Sequence, residues 1–291
     1  MLALPPLFWA GNWVVGRAVH GDMPPMLLGL LRWSVALLVM LPFAWPHLKR
    51  DWVKLLAQRR DLLLLGLLGT ALHNAVTYLG LNFTTAMNGL MLNSFLPVMI
   101  VAISWLLYRE RLAGRQWLGV LLSLAGVGVI IARGDWRTLQ GLSFNPGDLI
   151  VVAGMFMWAF YTILVTARSQ SLHLLSFLAA IALVGVVAIL PLALLEYALG
   201  FRARYTPQTL AAVLYVGILP SFAGYVLWNR GVALAGANVA GLFTHLMPVF
   251  GALLSWVFLD EVLLGFHLFG FALILGGIAL TTRGRAPPED G

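Results

Sequence analysis

Ten stretches of the 291-residue sequence are apolar and long enough to cross a lipid bilayer as helices. A membrane-spanning helix needs about 20 mostly apolar residues. The stretches lie at 3–19, 25–45, 61–81, 87–107, 116–133, 148–168, 174–195, 208–228, 237–258 and 265–282. They do not alternate apolar and polar residues as the strands of a membrane β-barrel do. Because backbone groups in lipid must bond within their own segment, the sequence predicts an all-α membrane protein with ten transmembrane helices.

The composition excludes most soluble classes of protein. Hydrophobic residues make up 61% and charged residues 10% of the chain, against about 45–50% and about 25% in soluble domains. The net charge of +7 is typical of basic cytoplasmic loops in a membrane protein, so no nucleic-acid partner is expected. With no cysteine and six scattered histidines, we expect no metal site. No Gly-x-Ser-x-Gly, His-Glu-x-x-His or phosphate-loop motif occurs, so we expect neither an enzyme nor a cofactor.

The basic residues of the short loops predict the orientation in the membrane. If the N-terminus lies inside, the inner loops hold twelve of the 18 Lys and Arg residues and the outer loops hold four. The sequence therefore predicts cytoplasmic N- and C-termini. The first stretch lacks the basic start and cleavage site of a signal peptide, so we expect a retained helix.

The chain repeats itself at a nearly constant offset. The segment 93–97 matches 244–248 at an offset of 151 residues, and earlier positions match at 149. The matched pairs include Trp9 and Trp158, Pro42 and Pro191, Glu110 and Glu261, Gly119 and Gly270, and Gly126 and Gly277. Since each half holds five spans, the second half must enter the membrane from the opposite side, which is typical of transporters. We predict a first repeat at 1–145, an inverted second repeat at 146–283, and a disordered tail at 284–291.

Several motifs resemble the drug/metabolite transporter superfamily with two EamA-type halves. They are 8–13, 78–81 through Pro97 and 110–112 in the first half, and 229–231 through Pro248 to 260–261 in the second. Within the family the chain most resembles YddG-type aromatic amino-acid exporters. The resemblance implies a carrier in the bacterial inner membrane that exports Phe, Tyr, Trp and some other amino acids.

Polar and aromatic side chains within the spans are candidates for a substrate pathway, because lipid-facing positions are expected to be aliphatic. Aromatic rings can hold an apolar body, and their N–H and O–H groups can hold polar ends. The alternatives are interfacial anchoring of the aromatic residues and hydrogen bonds between helices. The candidate substrate-binding residues are Asn12, Trp13, His73, Asn74, Thr77, Tyr78, Asn88, Trp158, Tyr161, Tyr225, Trp228, Asn238 and His245.

Arg32 and two prolines add further candidates. A charge inside a span is costly and marks a functional hypothesis, so Arg32 could contact a substrate carboxylate; the alternatives are bonds to backbone carbonyls or extension to the membrane surface. Pro97 and Pro248 occupy equivalent positions within spans, where a proline breaks a helical hydrogen bond. They could form gating hinges or static kinks.

All eleven acidic residues fall in loops, at span ends or in the tail. Ion-coupled carriers usually need a carboxylate within the membrane, so the sequence predicts weakly coupled or uncoupled transport. His73 and His245 leave proton coupling open, because histidine titrates near neutral pH; a neutral, hydrogen-bonded histidine is the alternative.

The sequence thus predicts an alternating-access carrier for aromatic or hydrophobic amino acids, with no cofactor and with the lipid bilayer as its surroundings. A monomer is compatible with this activity, and the sequence does not give the oligomeric state. Other substrates remain open, such as a threonine-like amino acid, a nucleotide precursor or a drug. A membrane-embedded enzyme would need a converged nucleophile and base, which the sequence does not offer.

Overall fold

The computed structural model describes residues 1–19, 21–81, 83–84, 89, 92–135, 137, 145–168, 171–258 and 262–282. All regular structure within these ranges is helical, and no β-strand occurs in them. The α-helices are α1 (Leu4–Ala18), α2 (Pro25–Ala57), α3 (Arg59–Gly66), α4 (His73–Leu81), α5 (Leu96–Tyr108), α6 (Gly114–Ile131), α7 (Pro146–Arg168), α8 (Leu174–Ala198), α9 (Pro207–Val216), α10 (Gly224–Ala235), α11 (Ala237–Leu242), α12 (Leu246–Phe258) and α13 (Gly265–Thr282).

Helices occupy each of the ten predicted spans, so the all-helical architecture is confirmed for the described residues. Among the described residues, seven helical stretches are long and apolar enough to cross a membrane by length and composition, and α5 is a shorter apolar helix. α1 has 15 residues, and the third span is divided into α3, a π-helical segment and α4. Most of the predicted start of the fourth span and the predicted tail at 284–291 lie outside the described residues.

α2 and α8 pack against each other in antiparallel directions. Near the end of α8, the carboxylate of Glu196 accepts hydrogen bonds from the backbone N–H groups of Met26 and Leu27 at 3.0 Å. Near the end of α2, Asp51 accepts one from the backbone N–H of His173, the N-cap of α8, at 2.9 Å. The first N–H groups of a helix have no partner within it, and negative charge is favourable there. Each helix therefore stabilises the N-terminal end of the other.

α6 and α13 approach closely through glycines. A Cβ atom at Gly126 would lie 2.7 Å from the carbonyl oxygen of Gly270, and one at Gly119 would lie 2.6 Å from that of Gly277. Small residues let helix backbones approach closely in membranes. The glycine spacing in the sequence predicts this packing of spans five and ten, and the prediction is confirmed.

Two π-helical segments interrupt the third and eighth spans, at Leu67–Leu72 and Gly217–Ala223. The second contains Pro220, which has no N–H to donate. Beyond it the N–H of Gly224 bonds to the carbonyl of Leu219, five residues back, as in a π-helix. This shift leaves the carbonyl of Pro220 available to a side chain. π-helical turns occur frequently at functional sites, and both segments border the candidate site described below.

Candidate functional site

Five aromatic side chains meet where α1, α7 and α10 come together, and we call them the aromatic core. They are Trp9 of α1, Trp158 and Tyr161 of α7, and Tyr225 and Trp228 of α10. The ring of Trp158 lies at the centre, with centroid distances of 5.3 Å to Trp9, 5.3 Å to Tyr161, 5.6 Å to Tyr225 and 5.9 Å to Trp228. Rings at these distances, and edge-to-face pairs above all, are favourable.

Helical spacing explains why these rings share one place. Trp158 and Tyr161 are three residues apart in α7, as are Tyr225 and Trp228 in α10, so each pair lies on one face of its helix. Four of the five rings are buried, and Trp9 is partly buried. The sequence predicts four of these residues as substrate-binding candidates, and the structure brings those four together.

The two π-helical segments supply hydrogen-bond acceptors to the core. Trp9 donates from Nε1 to the carbonyl oxygen of Pro220 at 3.1 Å, and Tyr225 donates from its hydroxyl to the carbonyl oxygen of Gly69. Tyr161 donates to Oδ1 of Asn229 at 2.9 Å. The interruptions in the helical ladder therefore hold the orientation of rings on neighbouring helices.

Other polar atoms around the core are buried without a partner. They are Nε1 of Trp33, Nε1 of Trp228, and the hydroxyl oxygens of Thr77 and Thr162, none of which bonds to a described residue. The ring of Trp33 packs edge-on against Tyr225 at 4.8 Å. An unsatisfied buried donor costs free energy, so such groups commonly face a ligand or an ordered water.

Arg32 brings a positive charge to the edge of the core. Its side chain is 5% exposed, and its Nε donates to the hydroxyl of Ser221 in the second π-helical segment. The Ser221 hydroxyl in turn donates to the carbonyl of Val216 at 2.7 Å. The guanidinium carbon lies 5.6 Å from the ring of Trp33. Within the described residues, no carboxylate forms an ion pair with Arg32, and its two NH₂ groups make no hydrogen bond.

His73 lies beside the aromatic core. Its ring is 5.2 Å from that of Trp158, and its Nδ1 donates to the carbonyl of Gly154 at 2.9 Å. A Cβ atom at Gly154 would collide with Thr77, so this glycine allows α4 and α7 to approach closely. His73 is thus placed at the core by a short contact between two helices.

His245 and Asn238 lie apart from the aromatic core. Nε2 of His245 donates to the carbonyl of Ser94 at 2.8 Å, and its Nδ1 is bonded to the hydroxyl of Ser123. Both ring nitrogens therefore have partners, as the hydrogen-bonded alternative expects. Asn238 donates to the carboxylate of Glu110 at 3.0 Å, beside a cavity of about 250 Å³ between the end of α5 and the start of α11.

The remaining candidates have varied positions. Asn12 is half-buried in α1, and Asn74 donates back to the carbonyl of Thr70, one helical turn earlier, at 3.3 Å. Pro97 is the second residue of α5, and Pro248 is the third residue of α12, directly after a 3₁₀ turn. The side chains of Trp13 and Tyr78 and the whole of Asn88 lie outside the described residues.

Besides Trp9, three residues at the core are absent from the candidates that the sequence predicts. Trp33 directly follows Arg32, so the buried charge could have pointed to it. Asn229 lies four residues after Tyr225 on the same helix face, which is a readable signal. Gly69 contributes only its backbone carbonyl, and no side-chain pattern indicates that.

Two segments of the chain match a family of known transporters. The EamA-like transporter family matches residues 1–132 and 145–283. An uncharacterized transporter of Archaeoglobus fulgidus is 30% identical over 287 residues, which cover 97% of this chain and 96% of that protein. The uncharacterized transporter YetK of Bacillus subtilis is 28% identical over 283 residues, which cover 95% of this chain and 84% of YetK. A crystal structure of a protein that is 21% identical has the same fold, with a TM-score of 0.75 over 97% of this chain and 95% of that one.

Proposed function

Because the chain belongs to the EamA-like transporter family, we propose that it exports aromatic and other hydrophobic amino acids by alternating access. Family membership makes the chain a membrane transporter, and its helices are those of a multi-pass protein. The substrate is inferred from the aromatic core. An aromatic amino acid has an apolar ring that suits a cluster of rings, and a carboxylate that suits the donors beside it. The YddG-type resemblance of the sequence points to the same substrates.

The observation that carries this proposal is the combination of rings, unpartnered donors and Arg32 in one place. Ligand sites are mostly apolar with a few convergent polar groups. The aromatic core is mostly apolar, and Trp33, Trp228 and Arg32 have N–H groups without partners among the described residues. Helices from both matched segments, α1 and α2 on one side and α7 and α10 on the other, contribute these residues. Transporter sites characteristically lie at such an interface between repeats.

An inverted repeat is the second part of the proposal, and matched contacts support it. With the sequence offsets of 149 and 151, Gly66 corresponds to Gly217, and Val35 to Val184. A Cβ atom at Gly66 would lie 2.6 Å from Val184, and one at Gly217 would lie 2.6 Å from Val35. The same contact therefore occurs twice with the halves exchanged, as a pseudo-two-fold axis requires. The glycine contacts of α6 and α13 exchange in the same way.

Uncoupled transport is the third part. Three acidic residues accept hydrogen bonds from backbone N–H groups at or beside helix N-termini: Asp51, Asp148 and Glu196. These carboxylates serve as caps. The buried ring nitrogens His245 Nδ1 and Nε2 and His73 Nδ1 are hydrogen-bonded. We therefore propose facilitated diffusion down the substrate gradient. The excess of basic residues in loops on one side supports cytoplasmic termini in a bacterial inner membrane.

Counterflow in liposomes tests this function. The purified protein is reconstituted into liposomes that contain unlabelled phenylalanine. Labelled phenylalanine is then added outside, with and without a pH gradient across the membrane. We expect saturable exchange that tryptophan blocks and that the gradient does not change. Acceleration by the gradient would instead indicate proton coupling, with His73 as the first candidate. Absence of exchange by folded, inserted protein would refute the aromatic amino-acid assignment.

A matched pair of variants links the exchange to the aromatic core. Trp158→Leu removes the central ring, and we expect it to abolish most of the exchange, whereas Trp158→Phe keeps an aromatic ring and should retain part of it. Trp117→Leu is the control, because this side chain is 41% exposed on the outer surface of α6. Equal exchange by the Trp158→Leu and Trp117→Leu proteins would place the substrate elsewhere. Gel filtration in detergent verifies that each variant is folded.

A further inference from the structure

The Arg32 guanidinium is a buried positive charge without a counter-ion among the described residues. It is the eighth residue of α2, which places it about 10 Å along the helix at 1.5 Å per residue. Arginine stays protonated in proteins, and a charge within the membrane is retained only where it has a partner or a task. Ser221 binds only the Nε–H. The two NH₂ groups, which form the fork that recognises a carboxylate, have no partner among the residues that the structure describes.

Unpartnered N–H donors of the described residues lie beside this guanidinium, at Trp33, and in the aromatic core, at Trp228. An indole offers an N–H donor and no acceptor, and the Nε1 atoms of Trp33 and Trp228 lack partners in the part of the chain that the structure describes. Two backbone carbonyls of the π-helical segments are engaged at the core, that of Pro220 by Trp9 and that of Gly69 by Tyr225. The site thus has unused N–H donors and a positive charge, and no carboxylate of the described residues forms an ion pair with that charge.

The positive charge of Arg32 affects which substrates are favourable, because it sets the net charge of the loaded site. A carboxylate monoanion bound beside Arg32 makes the loaded site neutral, whereas a zwitterionic amino acid leaves one net positive charge within the membrane. The ammonium group of the zwitterion would also lack a carboxylate partner among the described residues, and only neutral acceptors and the faces of the rings would receive it. A net charge in a low-dielectric region is costly. The monoanion is therefore the better-matched occupant.

We propose that Arg32 and Trp33 form a carboxylate-binding site in which Ser221 holds the Arg32 side chain in position, and that the carrier recognises aromatic and hydrophobic carboxylate monoanions without requiring an ammonium group. This inference rests on the proposed function for the location of the substrate, and it narrows the substrate class. The ring of the substrate lies against the aromatic core, and its carboxylate accepts hydrogen bonds from the guanidinium. Amino acids are then carried because they possess the carboxylate.

Competition between three probes tests the inference. 3-Phenylpropionate has the ring and the carboxylate, phenethylamine has the ring and the ammonium, and phenylalanine has all three. In the counterflow assay we expect 3-phenylpropionate to inhibit at a concentration no higher than that of phenylalanine, and phenethylamine not to inhibit. The assay measures inhibition rather than flux, because the neutral acid form of 3-phenylpropionate permeates bilayers. Inhibition by phenethylamine alone would overturn the proposal.

Binding in detergent separates this inference from the proposed function. Quenching of the intrinsic tryptophan fluorescence by 3-phenylpropionate measures occupancy without transport. If the protein binds this probe but exchanges no phenylalanine, the carboxylate site stands and amino-acid export is refuted. If it exchanges phenylalanine but neither binds nor is inhibited by 3-phenylpropionate, the export function stands and the carboxylate inference is refuted.

Substitutions at Arg32 test whether its guanidinium binds the carboxylate of 3-phenylpropionate. Arg32→Gln keeps hydrogen-bonding capacity but removes the charge, and we expect at least about a tenfold weaker affinity for 3-phenylpropionate, since a hydrogen bond to a charged group contributes that much. Arg32→Lys retains the charge and should lose less. Arg202→Gln, at an exposed arginine beyond α8, is the control. A folded Arg32→Gln protein with unchanged affinity would contradict the proposal.

Discussion

Replacing Gly277 with alanine is expected to destabilise the packing of α6 against α13, whereas the same change at the neighbouring Gly276 is not. A Cβ atom at Gly277 would overlap the carbonyl oxygen of Gly119 and would lie 2.8 Å from the backbone N of Ser123. A Cβ atom at Gly276 would meet only the side chain of Leu122, at 3.6 Å. The two substituted positions are adjacent in the sequence. Only the new methyl group at position 277 would collide with backbone atoms of α6.

The expected change in stability depends on which atoms the new methyl group displaces. Backbone atoms of α6 cannot rotate away as a side chain can, so Gly277→Ala forces the two helices apart by a fraction of an ångström along their contact. Overpacking of this kind costs about 1–3 kcal/mol. At Gly276 the new methyl group makes an ordinary contact, and alanine is favoured over glycine in a helix by about 0.5–1 kcal/mol. The two changes should have opposite signs.

Thermal stability of the purified proteins measures the difference. Aliquots in detergent are heated, and the fraction that remains monodisperse on gel filtration is plotted against temperature. We expect a midpoint several degrees lower for Gly277→Ala than for the unmodified protein, and an equal or higher one for Gly276→Ala. If both variants match the unmodified protein, or if Gly277→Ala is the more stable, α6 and α13 do not approach through this face.

Three further perturbations have expected outcomes. Tyr161→Phe should lower the free energy of unfolding by about 1 kcal/mol, because it leaves Oδ1 of Asn229 buried without its donor; chemical denaturation measures this, and an unchanged midpoint would contradict the hydrogen bond. His245→Ala should lower the thermal midpoint but leave transport insensitive to pH, since both ring nitrogens are engaged in structural bonds; a new pH dependence of transport would contradict this. Burial raises the pKa of the Asp51 carboxyl, but the hydrogen bond from the N–H of His173 and nearby positive charge hold the pKa below its ordinary value. The stabilisation is therefore complete at neutral pH and is lost as the pH falls through that lowered pKa, so a stability profile from pH 7 to acid should flatten in Asp51→Asn.

The fold was largely predictable because its determinants are local. Apolar length sets each span, and small residues at helical spacing predict which faces approach, as Gly119 and Gly126 do in α6. The aromatic core was partly predictable for the same reason, since Trp158 with Tyr161 and Tyr225 with Trp228 share helix faces at a spacing of three.

What could not be predicted depends on pairs that are distant in sequence. The sequence predicts Asn238 and His245 as pathway residues from their positions within spans. The structure shows that Asn238 bonds to Glu110. It also shows that His245 bonds to Ser94 and Ser123. The π-helical segment at Leu67–Leu72 contains no proline that would predict it from the sequence. It contributes to the site through the carbonyl of Gly69, which accepts a hydrogen bond from Tyr225. The pattern of side chains in a sequence does not predict a contact with a backbone atom.

The two halves differ in chemistry at the place where the proposed substrate carboxylate binds. On the proposed inverted repeat, Thr70 corresponds to Ser221, and Ile181 corresponds to Arg32. The hydroxyl of Thr70 donates to the carbonyl of Ile181 at 3.1 Å, whereas the hydroxyl of Ser221 accepts from the Arg32 side chain. Two equivalent hydroxyls thus face equivalent positions of α2 and α8, and only one of them faces a charge. A symmetric pair of halves could hold a substrate in either direction, but a single guanidinium fixes which end of the substrate faces the first half. Introducing arginine at the equivalent position, Ile181→Arg in an Arg32→Ile background, should therefore restore binding of 3-phenylpropionate if the repeat is inverted, and should fail to do so if the two positions are unrelated.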